Sequence, residues 1–182
     1  MNFRKIFLIG LRATGKTSVG QLLAERLDMP FYDLDEVIVN TAGKQIKQIV
    51  EEGGWEAFRS LERTALANFF SQDTSFVLAC GGGAVLHEDV WISNRQGDHR
   101  DHVVVWLKAG VDEMLKRIVG DSNTDSQRPA LTNGLAMRDE IEAVMKQRKS
   151  LYERFSDMEI NTDSVSINQI VEVLLKDLEE IV

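Results

Sequence analysis

The sequence predicts an α/β fold, a parallel sheet with helices on both faces. Three observations predict it. Short apolar runs alternate with stretches of helical period along the chain. The run His102 to Leu107 is β-branched, continuous and uncharged after its first residue, the pattern of a strand covered on both faces. Gly10-Leu-Arg-Ala-Thr-Gly15-Lys16-Thr17 lies between the first strand and the first helix and fits G-x-x-x-x-G-K-[ST] at every required position.

The elements follow in order. Lys5 to Ile9 reads as a buried strand. Thr17 to Leu27 carries Val19, Leu22, Leu23 and Leu27 at helical spacing. Met29 to Tyr32 reads as a second strand. Glu36 to Asn40 and Gln45 to Glu51 read as helices broken at Gly43, and Gly53-Gly54 ends the second. Trp55 to Phe70 is a longer helix with Trp55, Phe58, Ala65, Leu66 and Phe69 on one side. Phe76 to Cys80 is a third strand and runs into Gly81-Gly82-Gly83. A short helix, Glu88 to Asn94, precedes the strand at His102. Val111 to Val119 and Glu140 to Phe155 are helical, and Met158 to Asn161 is the last strand. Ser166 and Gln169 form a capping box for a final helix ending near Val182. Crossovers between such parallel strands are right-handed. Gly120 to Asn133 is polar, turn-rich and too long for an ordinary connection, which suggests a lid or disorder.

Length and charge narrow the function. The chain has 182 residues, 43% apolar and 27% charged, and reads as one globular domain, with or without a mobile lid. A net charge of -8 argues against a nucleic-acid partner. No run reaches the roughly 18 apolar residues of a membrane span. The start lacks the length and cleavage site of a signal peptide. The single Cys80 excludes an internal disulfide and fits a reducing, cytoplasmic compartment. An anionic ligand therefore needs positive charge gathered at one spot.

The phosphate loop supplies part of that charge. Its backbone amides point inward around a phosphate, and the following helix adds its positive N-terminal end. Lys16 reaches the β- and γ-phosphates, and the Thr17 hydroxyl is placed to ligate Mg²⁺. Downstream lies Phe31-Tyr-Asp33-Leu-Asp35. Residues two apart in an extended segment share a side, so Asp33 and Asp35 both project from the carboxyl end of the sheet. One can hold the metal's water shell and the other can accept a hydroxyl proton. The alternatives are solvated turn aspartates, or Asp35 as a helix N-cap.

Arg59 and Glu62 are three apart on a helix and can pair, leaving the other guanidinium donors for an anion. A surface ion pair of little energetic value is the alternative. Gly81-Gly82-Gly83 lets backbone amides approach a ligand, or serves as a flexible turn. Arg128, in the long polar loop, can swing over a transferring phosphoryl group. Arg148 lies on a basic helix stretch that is otherwise a solvated face. His87, His99 and His102 show no metal-ligand spacing and receive no role. Trp55, Trp91 and Trp106 read as core.

Taken in order, these segments resemble the shikimate kinases over nearly the whole chain. The phosphate loop is shared by many families. Phe31-Tyr-Asp33-Leu-Asp35, Phe58-Arg59 with Glu62, Gly81-Gly82-Gly83, Arg128-Pro129, and Arg148 with Tyr152 are specific together. The resemblance implies a three-layer α/β/α P-loop kinase of the nucleoside monophosphate kinase-like fold, with five parallel strands in order 2-3-1-4-5. It implies one domain over 1–182, with a substrate-binding helical region at about 34–62 and a mobile lid at about 119–133. It implies ATP-dependent phosphorylation of the shikimate 3-hydroxyl, a step of aromatic amino-acid biosynthesis, with Mg²⁺, in a cytoplasmic monomer.

It also implies roles. Lys16, Asp35 and Arg128 are catalytic, Asp35 being the proposed base. ATP is bound by Gly10, Leu11, Arg12, Ala13, Thr14, Gly15, Lys16, Thr17 and Ser18, with Arg117 near adenine and Arg128 from the lid. The segment from Asn161 to Ile167 matches the adenine loop. Shikimate is held by Asp35, Arg59, Arg148 and the amides of Gly81, Gly82 and Gly83. Thr17 and Asp33 serve the metal. Ala13 stands where the family loop has its middle glycine, so the backbone there is expected to avoid positive φ. Two alternatives stay open: a kinase for another small acceptor such as gluconate or a nucleoside monophosphate, and a nucleotide-binding module without turnover.

Overall fold

A computed structural model describes residues 4–95, 101–120 and 136–180. The elements are β1 (Lys5–Ile9), α1 (Lys16–Leu27), β2 (Phe31–Asp33), α2 (Leu34–Ala42), α3 (Ile46–Ser71), β3 (Phe76–Ala79), a 3₁₀ turn (Ala84–Leu86), α4 (Glu88–Asn94), β4 (His102–Lys108), α5 (Val111–Gly120), α6 (Met137–Phe155), β5 (Met158–Asn161) and α7 (Ile167–Glu180). The strands form one parallel sheet in the order β2-β3-β1-β4-β5.

Strand alternation divides the core in two. Phe7 and Ile9 of β1 and Val104 and Trp106 of β4 point to one face, where residues of α2 to α6 pack. Ile6 and Leu8, with Val103, Val105 and Leu107, point to the other, under α1 and α7. Because side chains alternate with period two, a strand buried on both faces must be apolar throughout. This gives three layers and exposes the carboxyl ends of β1, β2 and β3 along one rim, where open α/β sheets bind ligands.

Element boundaries differ from the sequence expectation for local reasons. The second strand begins at Phe31, since Pro30 has no amide to donate; its carbonyl accepts from the Val77 amide instead (2.9 Å). Gly53-Gly54 breaks the helix as expected: two helical segments meet there within the span Ile46–Ser71. Gly54 lies outside helical geometry (φ 71°, ψ 178°), a conformation open to glycine alone at little cost, and separates the two segments of α3. α6 starts at Met137, three residues before the expected Glu140. The helix expected over Val111 to Val119 forms and takes in Gly120, the first residue of the long polar segment, as its last residue. The capping box forms as expected. The Gln169 amide donates to Ser166 Oγ (3.3 Å), and the Ser166 amide donates to Gln169 Oε1 (3.1 Å). Among the described residues no helix is long and apolar enough to cross a membrane.

Candidate active site

The phosphate loop joins β1 to α1. Gly10 (φ 144°) and Gly15 (φ 93°) turn the chain, and Thr14 Oγ1 donates to the Leu11 carbonyl (2.8 Å). Lys16 Nζ donates to the same carbonyl (2.7 Å), which draws the lysine across the loop. Ala13 contradicts the expectation. It takes φ 61°, the left-handed region, which costs a residue with a Cβ roughly 1–2 kcal/mol. The Arg117 guanidinium braces this turn by donating to the Ala13 carbonyl (3.1 Å), and it also donates to Thr162 O (2.6 Å) and Thr162 Oγ1 (3.0 Å). Arg117 therefore ties the phosphate loop to the loop after β5.

The two aspartates are not on one extended segment. Asp33 ends β2 and is the N-cap of α2; its Oδ1 accepts from the Asp35 amide (3.0 Å). Asp35 is thus in the first turn of a helix, and the cap belongs to Asp33. Asp33 Oδ2 accepts from Thr17 Oγ1 (2.9 Å), so the loop hydroxyl and this carboxylate meet at the rim. Two hard oxygens side by side fit a Mg²⁺ site.

Beside the loop lies a pocket of about 660 Å³, its open mouth included, lined by Asp35, Arg59, Glu62, Gly81, Gly82, Gly83 and Arg148 among others. A larger cleft of about 1900 Å³ runs along Lys16, Thr17, Ser18, Asp33 and Arg117. Asp35, Arg12, Gly81 and Gly82 line both. Asp35 therefore stands on the boundary between the smaller pocket and the cleft along the phosphate loop.

The smaller pocket carries Arg12, Arg59 and Arg148 beside Asp35, Glu62 and Glu140. Arg59 donates to Glu62 (2.5 Å) and lies near the rings of Trp55 (5.4 Å) and Phe58 (5.2 Å). Gly83 permits this: a Cβ there would meet the guanidinium at 2.0 Å. Arg148 and Tyr152 both donate to the Gly82 carbonyl (2.9 and 2.6 Å), so the glycine turn is held from α6. Arg148 Nε is buried with no hydrogen-bond partner among the described residues. Burial pushes the Arg148 guanidinium below the ordinary arginine range, and the neighbouring Arg59 charge pushes the same way. A buried guanidinium with an open donor, beside a second one already paired with Glu62, favours an anion brought against it. Burial also pushes the Tyr152 hydroxyl up, so it stays a neutral donor, and pushes the Cys80 thiol well up, which fits the inert role expected of it.

Some participants lie beyond the expected set. Arg12, expected at ATP, also lines the smaller pocket and pairs with Glu140 of α6 (2.9 Å). Glu140, Ile141, Val144 and Arg148 share one face, so two charges inside an apolar stripe were a readable signal. Trp55, expected in the core, is half-buried at the pocket wall, whereas Trp91 and Trp106 are buried. His87, given no role, contacts Glu62, and nothing local in the sequence marks it. Arg128 lies outside the described residues.

The comparisons with known proteins agree with this geometry. The family model for shikimate kinase matches residues 12–179. The chain belongs to the shikimate kinase family. A shikimate kinase of Syntrophus aciditrophicus is 37% identical over 95% of this chain and 90% of that protein, and one of Rhodopirellula baltica is 36% identical over 94% and 88%. A solved shikimate kinase of Acinetobacter baumannii, in complex with shikimate, superposes with a TM-score of 0.86 at 29% identity, covering 98% of this chain and 94% of that one. A deoxyadenosine kinase of M. mycoides with bound dATP, at 10% identity and a TM-score of 0.59, shares the fold alone. Members of this family are kinases, and the sheet order expected from the resemblance is the one the strands adopt.

Proposed function

We propose that this chain transfers the γ-phosphoryl group of ATP to the 3-hydroxyl of shikimate. One observation carries the reading: Asp35, Arg59 and Arg148 line a single pocket that shares a wall with the phosphate loop. Arg59 and Arg148 are the clamp for the shikimate carboxylate, helped by the amides of Gly81, Gly82 and Gly83. The planar guanidinium fork matches a carboxylate in shape and charge. The region over about 34–62 is then the acceptor-binding part, and Arg128 the lid arginine.

Asp35 holds the acceptor hydroxyl toward the phosphate cleft and takes its proton. An alcohol is too weak an acid to lose that proton early, and a loose transition state asks little of the nucleophile. Positioning therefore carries most of the rate enhancement. Lys16 and the loop amides neutralise the charge that spreads over the transferring group. Thr17 and Asp33 are the residues that would hold Mg²⁺, which would offset phosphate charge when bound. Arg117 and the segment 161–167 form the wall for adenine. We read the enzyme as a cytoplasmic monomer; the lone buried Cys80 accords with a reducing compartment.

A coupled assay of ADP release tests the reading across shikimate, gluconate and nucleoside monophosphates. Turnover is expected with shikimate and not with the others. Turnover only with gluconate or a nucleotide would overturn the acceptor assignment.

A further inference from the structure

Glu62 is fully buried, and its two carboxylate oxygens have different surroundings. Oε2 accepts from Arg59 (2.5 Å) and lies 3.0 Å from His87 Nε2. Oε1 has no partner among the described residues. Oε1 faces the acceptor pocket: a Cβ built on Gly81 would fall 2.5 Å from it and 2.9 Å from Asp35 Oδ1. A buried carboxylate is stable only where donors fix it, and its free torsion would otherwise swing both oxygens.

Arg59 and Glu62 lie on the same helix, so their pairing alone leaves the carboxylate free to turn with the guanidinium. His87 approaches from a different element, the junction between the 3₁₀ turn and α4. Its backbone is held independently: its amide donates to Ala84 O (3.3 Å), and its carbonyl accepts from the Val90 (3.0 Å) and Trp91 (3.2 Å) amides. The ring is thus carried to Glu62 by a turn that does not need the ring. A carboxylate only accepts, so the contact requires a proton on Nε2, which the ring carries there in its charged form and in one neutral tautomer.

We propose that His87 is a positioning residue for acceptor binding: it locks the Glu62 carboxylate from across the pocket wall and so fixes the Arg59 guanidinium. This rests on the acceptor pocket described above. His87 touches neither substrate and acts only through Glu62.

Steady-state kinetics of His87→Leu and His87→Gln test it, with shikimate and ATP varied separately. Leucine fills the space without a donor; glutamine keeps one. His87→Leu is expected to raise the shikimate KM about tenfold, the scale of one lost hydrogen bond to a charge, with ATP KM and kcat within about twofold. His87→Gln is expected to recover most of the loss. In an Arg59→Ala background, His87→Leu should add nothing, because the group it positions is gone. An unchanged shikimate KM, an equal effect in the Arg59→Ala background, or a parallel loss of ATP affinity would each overturn the proposal. A crystal structure of His87→Leu reads the same claim without turnover. A displaced Arg59 supports it, and an unmoved Arg59–Glu62 pair overturns it even where shikimate itself proves not to be the acceptor.

Discussion

At the residue scale, the site joins strain to charge. Ala13 is held in a left-handed turn within the phosphate loop, where glycine would be at ease. Ala13→Gly should therefore stabilise the protein by roughly 0.5 kcal/mol, the left-handed cost less the extra chain entropy of glycine. Urea unfolding measures this; a less stable variant would mean the turn is not strained. Asp35 stands where acceptor pocket meets phosphate cleft. Asp35→Asn is expected to lower kcat by about 10²-fold or more while ATP binding changes little. Near-normal turnover would remove Asp35 from the chemistry. Single residues were legible in the sequence where a motif fixed their setting. The place of the phosphate loop between β1 and α1 is of that kind, as is the Arg59–Glu62 pair. Ala13 was not, since its backbone angle is dictated by the loop's closure and by Arg117 from α5.

At the element scale, the sheet rim positions everything. Continuous apolar runs marked the inner strands β1, β3 and β4, the edge strands β2 and β5 being only partly buried, and helical stripes marked the helices packed on the sheet. A boundary failed where a single backbone feature decided it: Pro30 delays β2, whereas the break at Gly54 was legible because glycine alone takes that conformation cheaply. The aspartate pair failed for a related reason. An N-cap converts an extended segment into a helix within one residue, so two-residue alternation does not reach Asp35. Contacts between elements, such as Arg12 with Glu140 or His87 with Glu62, have no local signature because the fold alone brings them together. The final helix offers an element-scale test. Ser166→Ala removes both Oγ contacts of its capping box and should cost about 1 kcal/mol, read by thermal or chemical denaturation. An unchanged midpoint would mean that packing of Ile170, Val171, Leu174 and Leu178 sets the helix start by itself.

At the scale of the whole molecule, the two ends of the sheet carry different burdens. The carboxyl rim gathers cations for ligands. The opposite end buries His102 between Phe7 and Phe70, with its Nε2 lacking any partner among the described residues. Burial, with the Arg95 charge second, holds the His102 pKa below its ordinary value of 6.5. The unfolded chain then binds this proton more readily than the folded one, so stability from His102 is full above about pH 6.5 and falls as pH drops below it. His102→Leu should flatten that acid limb in denaturation midpoints taken from pH 7.5 to 5. An unaltered slope would place its origin in other groups.

The central claim is that one pocket presents an acceptor hydroxyl, held by Asp35 and a two-arginine clamp, to the phosphate loop. A crystal structure with shikimate and a non-hydrolysable ATP analogue tests it most directly. The expected complex has the carboxylate between Arg59 and Arg148 and the 3-hydroxyl about 2.6–3.2 Å from Asp35, facing the γ-phosphate at Lys16. A carboxylate bound away from both arginines, or a hydroxyl turned away from Asp35, would contradict it.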